Sequence, residues 1–124
     1  MISTQNLEQA KAQIKKSPAP IIVNAQSIEF NRKILEYGNF NILLAPEQLN
    51  RVQAKIASKN KIAIGFDIKA LTSLEKKQKA IELSKIIKII KICRKSKTKI
   101  TLLNTKDKKD AFSLLISLGS STNQ

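Results

Sequence analysis

Residues 41–67, NILLAPEQLNRVQAKIASKNKIAIGFD, hold the reading of the fold. They open on Asn41-Ile42-Leu43-Leu44, an apolar run too short for a helix, and pass Pro46-Glu47 into a segment with helical spacing over about 48–59. They return to a second apolar run, Lys61 to Phe66, after which Asp67 stands where it can cap another helix. Apolar runs without polar alternation are the strands of a parallel sheet, and strand–helix–strand with short joins is the unit that builds one.

The same rhythm extends in both directions. Towards the N-terminus, Ile21-Ile22-Val23 predicts a strand and Ser27 opens a helix that Gly38 closes. Before these, residues 4–16 predict a polar helix with Leu7, Ala10 and Ile14 on one side, capped by Thr4 and stopped by Pro18 and Pro20. Towards the C-terminus a helical region runs from about 69 to 96, interrupted near Thr72-Ser73. Lys99 to Leu103 (KITLL) is the next strand, and residues 107–118 a last helix ending at Gly119. The reading is a helix followed by four β–α units, an α/β fold of parallel β-α repeats forming one domain over residues 1–124. Four units fall short of the eight in a (β/α) barrel, which takes about 250 residues. The expectation is an incomplete or minimal TIM-barrel-like fold with about four strands, with an open three-layer sheet as the alternative.

Composition narrows the chemistry. The 124 residues include 23 Lys+Arg against 9 Asp+Glu, a formal net charge of +14, with no histidine and one cysteine. That excludes histidine-based triads, histidine acid–base catalysis, His-ligated zinc and an intrachain disulfide. The three glycines, at 38, 65 and 119, are too dispersed for a dinucleotide fingerprint or a phosphate-binding P-loop. Cys93 lies among isoleucines and reads as a small buried thiol. Tyr37, Phe30, Phe40, Phe66 and Phe112 read as core rather than as platforms for base stacking. No apolar leader core and no run of about 18 apolar residues is present, and with an unpaired cysteine this points to the cytoplasm.

The charge is concentrated. Residues 75–109 carry thirteen basic side chains against Glu75, Glu82 and Asp107, or +10, whereas residues 1–74 carry ten against five. Such focusing fits a polyanionic partner, nucleic acid above all, against a background in which a lysine- and isoleucine-rich composition also follows from an A+T-rich genome. On a helix over 75–97, Lys77, Lys85, Lys88, Lys91 and Lys95 fall within an arc of about 120°. Leu83, Ile86, Ile87, Ile89, Ile90 and Cys93 lie opposite, with Ile81 and Ile92 as exceptions on the basic side. A row of ammonium groups at this spacing can track a phosphate backbone, or can simply be solvated. Glu47 and Asp67, just beyond two strands, are either helix starts or a pair able to bind a divalent ion.

Taken as one string, residues 21–67 resemble the archaeal and eukaryotic RNase P protein component 3 family, the thirty-kilodalton RNase P subunits. The resemblance rests on Val23-Asn24, then Ser27, Glu29, Asn31 and Arg32; on Ile42-Leu43 leading to Pro46-Glu47; and on Ala54, Ala57, Asn60, Ala63-Ile64 and Phe66. The lysine-rich helix and KITLL extend it over about 20–118. Ala25-Gln26, Leu44-Ala45 and Asn104-Thr105 depart from the family pattern, and its N-terminal strands have no counterpart here, so a shortened and divergent member is implied.

The resemblance implies a barrel fold related to polymerase-and-histidinol-phosphatase metallohydrolases. It implies a protein subunit of ribonuclease P, the ribonucleoprotein endonuclease that removes the 5′ leader from precursor tRNA. The expected partners are RNase P RNA and RNase P protein component 2, with precursor tRNA contacted indirectly and no membrane involved. Catalysis would lie in the RNA with its own Mg²⁺, and the protein would supply no catalytic residue, metal site or cofactor. Arg32 is an RNA-binding candidate through the family motif, while Lys55, Lys77, Lys85, Lys88, Lys91 and Lys95 are candidates through charge. Two other readings stay open: a general nucleic-acid-binding α/β module, and a metal-dependent phosphoesterase using Glu47 and Asp67.

Overall fold

The computed structural model describes residues 1–104, and the helix expected over 107–118 lies outside them. In chain order the elements are α1 (Leu7–Lys16), β1 (Ile22–Asn24), α2 (Ile28–Tyr37), β2 (Ile42–Leu44) and α3 (Arg51–Lys59). They continue with β3 (Ala63–Asp67), α4 (Ile68–Thr72), α5 (Lys76–Ser96) and β4 (Ile100–Leu103). All four strands are parallel and stand in the order β1-β2-β3-β4, so each pairs with the one before it. At the outer side of β1, Ile2 forms a one-residue parallel bridge: its N–H donates to the Ile22 carbonyl at 2.9 Å and its carbonyl accepts from Asn24 at 2.8 Å.

Register sorts the two faces of the sheet. Val23, Leu43 and Ile64 are aligned across three strands, with Ile100 next in line. Together with Phe66 and Leu102 they face the helices and form one cluster with Ala10 and Ile14 of α1, Ile34 and Leu35 of α2, Ala54 and Ala57 of α3, and Ile86, Ile89 and Ile90 of α5. Ile68 and Leu71 of α4 pack against the same cluster. Each of these isoleucines and leucines, fully buried, is worth about 1.5–3 kcal/mol of transfer free energy, which identifies this layer as the main stabilising one. Strand order and core agree with the expectation of a minimal fold of parallel β-α repeats. The three-layer alternative needs helices on both faces, whereas every described helix contributes to this one cluster.

The opposite face carries Ile42, Leu44, Ala63, Gly65 and Thr101. Leu44 and Ala63 are buried but stand outside the helix-side cluster. A Cβ at Gly65 would lie 2.7 Å from Ile42 Cγ2 and 3.3 Å from Thr101 Cγ2, so this face closes tightly around the middle of β3. Side chains from three strands meet there, and only glycine leaves them room.

Several boundaries differ from the sequence reading for local reasons. The first helix is capped by Asn6, whose side chain accepts from Gln9 N–H, and Thr4 instead accepts from Asn6 N–H and donates to Gln9 Oε1. The third helix starts at Arg51 rather than 48, because Asn50 takes the cap by accepting from Gln53 N–H at 2.8 Å. Ser27 and Gly38 bound α2 as expected, and the break between α4 and α5 falls at Ser73. Polar side chains then tie the units together. Gln53 Nε2 donates to the Ile28 carbonyl at 3.0 Å and Asn60 Nδ2 to the Leu35 carbonyl at 2.7 Å, joining α3 to both ends of α2.

Candidate nucleic-acid interface

Helix α5 supplies the longest basic surface. Its buried residues, Ile86, Ile89, Ile90 and Cys93, turn one side to the sheet. Lys77, Lys88 and Lys95 are exposed and Lys91 is half-buried, so four of the five expected lysines line one outward face. The fifth departs from it: Lys85 lies at the flank of the helix, paired with Glu82 at 3.3 Å. Of the two apolar exceptions, Ile81 is exposed amid the lysines, whereas Ile92 packs against the core. An idealised wheel placed Ile92 on the basic side, yet the helix is flanked closely enough that its border positions are also covered.

Lys55 is exposed on α3, which packs directly against α5, and it lies in an exposed row with Arg51 and Lys59 at four-residue spacing. Arg32 is exposed on α2, on the far side of α3 from α5. The outer layer thus presents the candidates on three successive helices. Among the described residues, ion pairs join only Lys11 to Glu8, Lys33 to Glu29 and Lys85 to Glu82. Arg32, Lys55, Lys77, Lys88, Lys91 and Lys95 therefore have no described carboxylate within ion-pair reach.

Four further cations come into view only with the fold. Lys59 ends α3 and Lys61 follows it, Lys97 and Lys99 follow α5, and all four are exposed. Because β3 and β4 are neighbours, the two lysine pairs arrive side by side at the start of the sheet. The sequence signal was the alternation Lys95-Ser96-Lys97-Thr98-Lys99, which a helical wheel does not register.

The other end of the sheet has a different chemistry. A cavity of about 340 Å³ lies beyond β2 and β3, lined by Pro46, Glu47, Phe66, Asp67, Leu71 and Glu82 among others. Glu47 and Asp67 do share this cavity, but both oxygens of Asp67 are already engaged. Oδ1 accepts from Ala70 N–H at 3.0 Å, capping α4, and Oδ2 accepts from Asn104 Nδ2 at 2.9 Å. Glu47 precedes the helix start by several residues and caps nothing. No group of three or more Cys, Asp or Glu able to hold a metal ion occurs among the described residues. Cys93 is fully buried, and desolvation pushes its thiol up to about 12, so it stays protonated and unreactive near neutrality. No described helix is long and apolar enough to cross a membrane.

No protein-family profile matches the chain, and no curated protein matches it in sequence. Its fold does match a chain in the cryo-EM structure of archaeal ribonuclease P with mature tRNA. The TM-score is 0.73 at 22% sequence identity, over 87% of this chain and 51% of that one. The chain therefore spans about half the length of that neighbour, and the two share a fold.

Proposed function

We propose that the chain is a protein subunit of ribonuclease P, akin to RNase P protein component 3, that binds and stabilises the catalytic RNA. The observation that supports this most is the fold match to a chain of an archaeal ribonuclease P at a TM-score of 0.73. The resemblance of residues 21–67 and the free cationic faces of α3 and α5 point the same way.

In this reading the protein attacks no bond. Folding brings RNA phosphates close together, and lysines along one helical face lower the cost of that approach while displacing counterions. Arg32, Lys55, Lys77, Lys88, Lys91 and Lys95 are the contacts, and Lys85 contributes weakly because Glu82 neutralises it. RNase P protein component 2 is the protein partner, precursor tRNA the substrate of the assembly, and Mg²⁺ serves the RNA.

The test is reconstitution. The protein is added to an archaeal RNase P RNA with component 2, and 5′-leader removal from precursor tRNA is followed at limiting Mg²⁺. The expected outcome is a lower Mg²⁺ requirement and faster cleavage. Absence of stimulation, with equal affinity for unrelated RNA, would leave only the general nucleic-acid-binding reading. Chelator-sensitive hydrolysis by the protein alone would instead favour the phosphoesterase.

A further inference from the structure

From the two turns that lead into β3 and β4, we infer that the N-terminal edge of the sheet is a second RNA-backbone contact, centred on Lys61 and Lys97 and flanked by Lys59 and Lys99. This rests on the reading of the chain as an RNA-binding subunit and adds a surface that the helix-face argument does not contain.

The two turns are built alike. After α3, Ile62 N–H donates to the Ala57 carbonyl at 2.8 Å, and after α5, Thr98 N–H donates to the Cys93 carbonyl at 2.9 Å. Both are the six-to-one bonds that close a helix around one residue in the left-handed conformation. That residue is Lys61 in the first turn, at φ 58°, and Lys97 in the second, at φ 57°. Glycine or asparagine is favoured at such a position, because any larger side chain crowds its own backbone. The chain uses that solution elsewhere, since Gly38 and Asn39 hold positive φ in the turn after α2. Two lysines in the strained position of adjacent turns are poor choices for folding and good ones for presenting charge.

The turns are also held in fixed relation. Ser58 Oγ donates to the Lys97 carbonyl at 3.2 Å, and Thr98 Oγ1 donates to the Ala54 carbonyl at 2.7 Å. The Ile64 N–H donates to the Lys99 carbonyl at 2.9 Å, which sets Lys99 beside the start of β3. Neighbouring strands are about 4.8 Å apart, so the cations of the two turns are grouped rather than scattered. No acidic residue occurs between 48 and 66 or between 83 and 106, and nothing in either segment dilutes this charge. A surface of clustered, exposed ammonium groups on a rigid frame suits the phosphates of a folded RNA, which they position without reading sequence.

The test compares two variants of the full chain for binding to an archaeal RNase P RNA transcript across a salt series. The first is Lys61→Gly/Lys97→Gly, which removes two charges and suits the backbone better. The second is Lys77→Gln/Lys88→Gln on the outward face of α5. The expected result for the glycine variant is an unchanged or higher Tm, together with weaker binding and a salt slope shallower by about 1.5. Unchanged affinity and slope in that variant, while the α5 variant binds more weakly, would overturn the inference and leave the RNA-binding reading standing. A lower Tm in the glycine variant, with affinity restored once folding is stabilised by osmolyte, would also overturn it, because the lysines would then be structural. Wild-type protein that does not bind the transcript at all would remove both.

Discussion

The two ends of the sheet differ in what they offer a partner. Where the strands finish, Glu47, Asp67 and Glu82 line a largely apolar cavity together with Lys85, and Asp67 is committed to hydrogen bonds from Ala70 and Asn104. Where the strands begin, Lys59, Lys61, Lys97 and Lys99 stand exposed with no described acid beside them. In (β/α) barrels the finishing end carries the chemistry and the starting end is reserved for stability. Here Asp67 and Glu82 are engaged at the first end while Glu47 is not, and the lysines at the second have no described ion-pair partner. The two ends of one parallel sheet thus differ in the charge they present, and under the proposed function it is the starting end that meets the polyanion.

Changes in the shared strand break the comparison at its root. Ile64 is fully buried in the middle of β3, between the two ends. Ile64→Ala is expected to cost about 2–5 kcal/mol by urea denaturation and to weaken RNA binding only through the unfolded fraction. A charge reversal across the α5 face comes next. Lys88→Glu/Lys91→Glu/Lys95→Glu is expected to flatten the salt dependence of RNA binding by a slope of at least about 2.7, with little change in the denaturation midpoint. At the carboxylate end, Asp67→Ala removes the α4 cap and is expected to cost about 1 kcal/mol while leaving RNA affinity unchanged. A loss of RNA affinity there would put the carboxylate end in the interface and erase the contrast.

The thiol provides a pH test of the helix that joins the two ends. Its pKa rises from an ordinary 9.0 to about 12 on folding, so the folded state holds its proton where the unfolded state releases it. The associated stability is complete below pH 9 and is lost as pH rises towards 12. Wild-type protein is therefore expected to lose stability more steeply than Cys93→Ala over that interval, measured by chemical denaturation at each pH. The smallest effect is expected from Glu82→Gln, which releases Lys85. This i,i+3 pair is partly exposed, so stability changes by less than about 0.5 kcal/mol, while RNA affinity rises slightly.

Strand positions were legible because unbroken apolar runs such as ILL and AIGF have few other uses in a chain of this size. Caps were less so: Thr4 and Asn6 are equally able to accept, and only the path of the chain selected Asn6. The outward row on α5 followed from spacing alone. The exclusion of Lys85 did not, because which lysine meets Glu82 depends on the flank of the helix. Lys61 and Lys97 were invisible as a group, since 36 residues separate them and only the pairing of β3 with β4 brings their turns together.

The order of the strands bears on how the chain comes into being. Each strand pairs with its predecessor, Ile22 with Ile42 and Ile42 with Ala63, at separations of about twenty residues. Only the last step, Ile64 to Ile100, must wait for the length of α4 and α5, and such an extension adds well under about 1 kcal/mol of loop-closure entropy. None of the described strands has to be held open for a distant partner to be inserted between neighbours already joined. A ribosome delivering this sequence from its N-terminus presents the strands in the order in which they can be accepted, with Ile2 in place to receive β1 first.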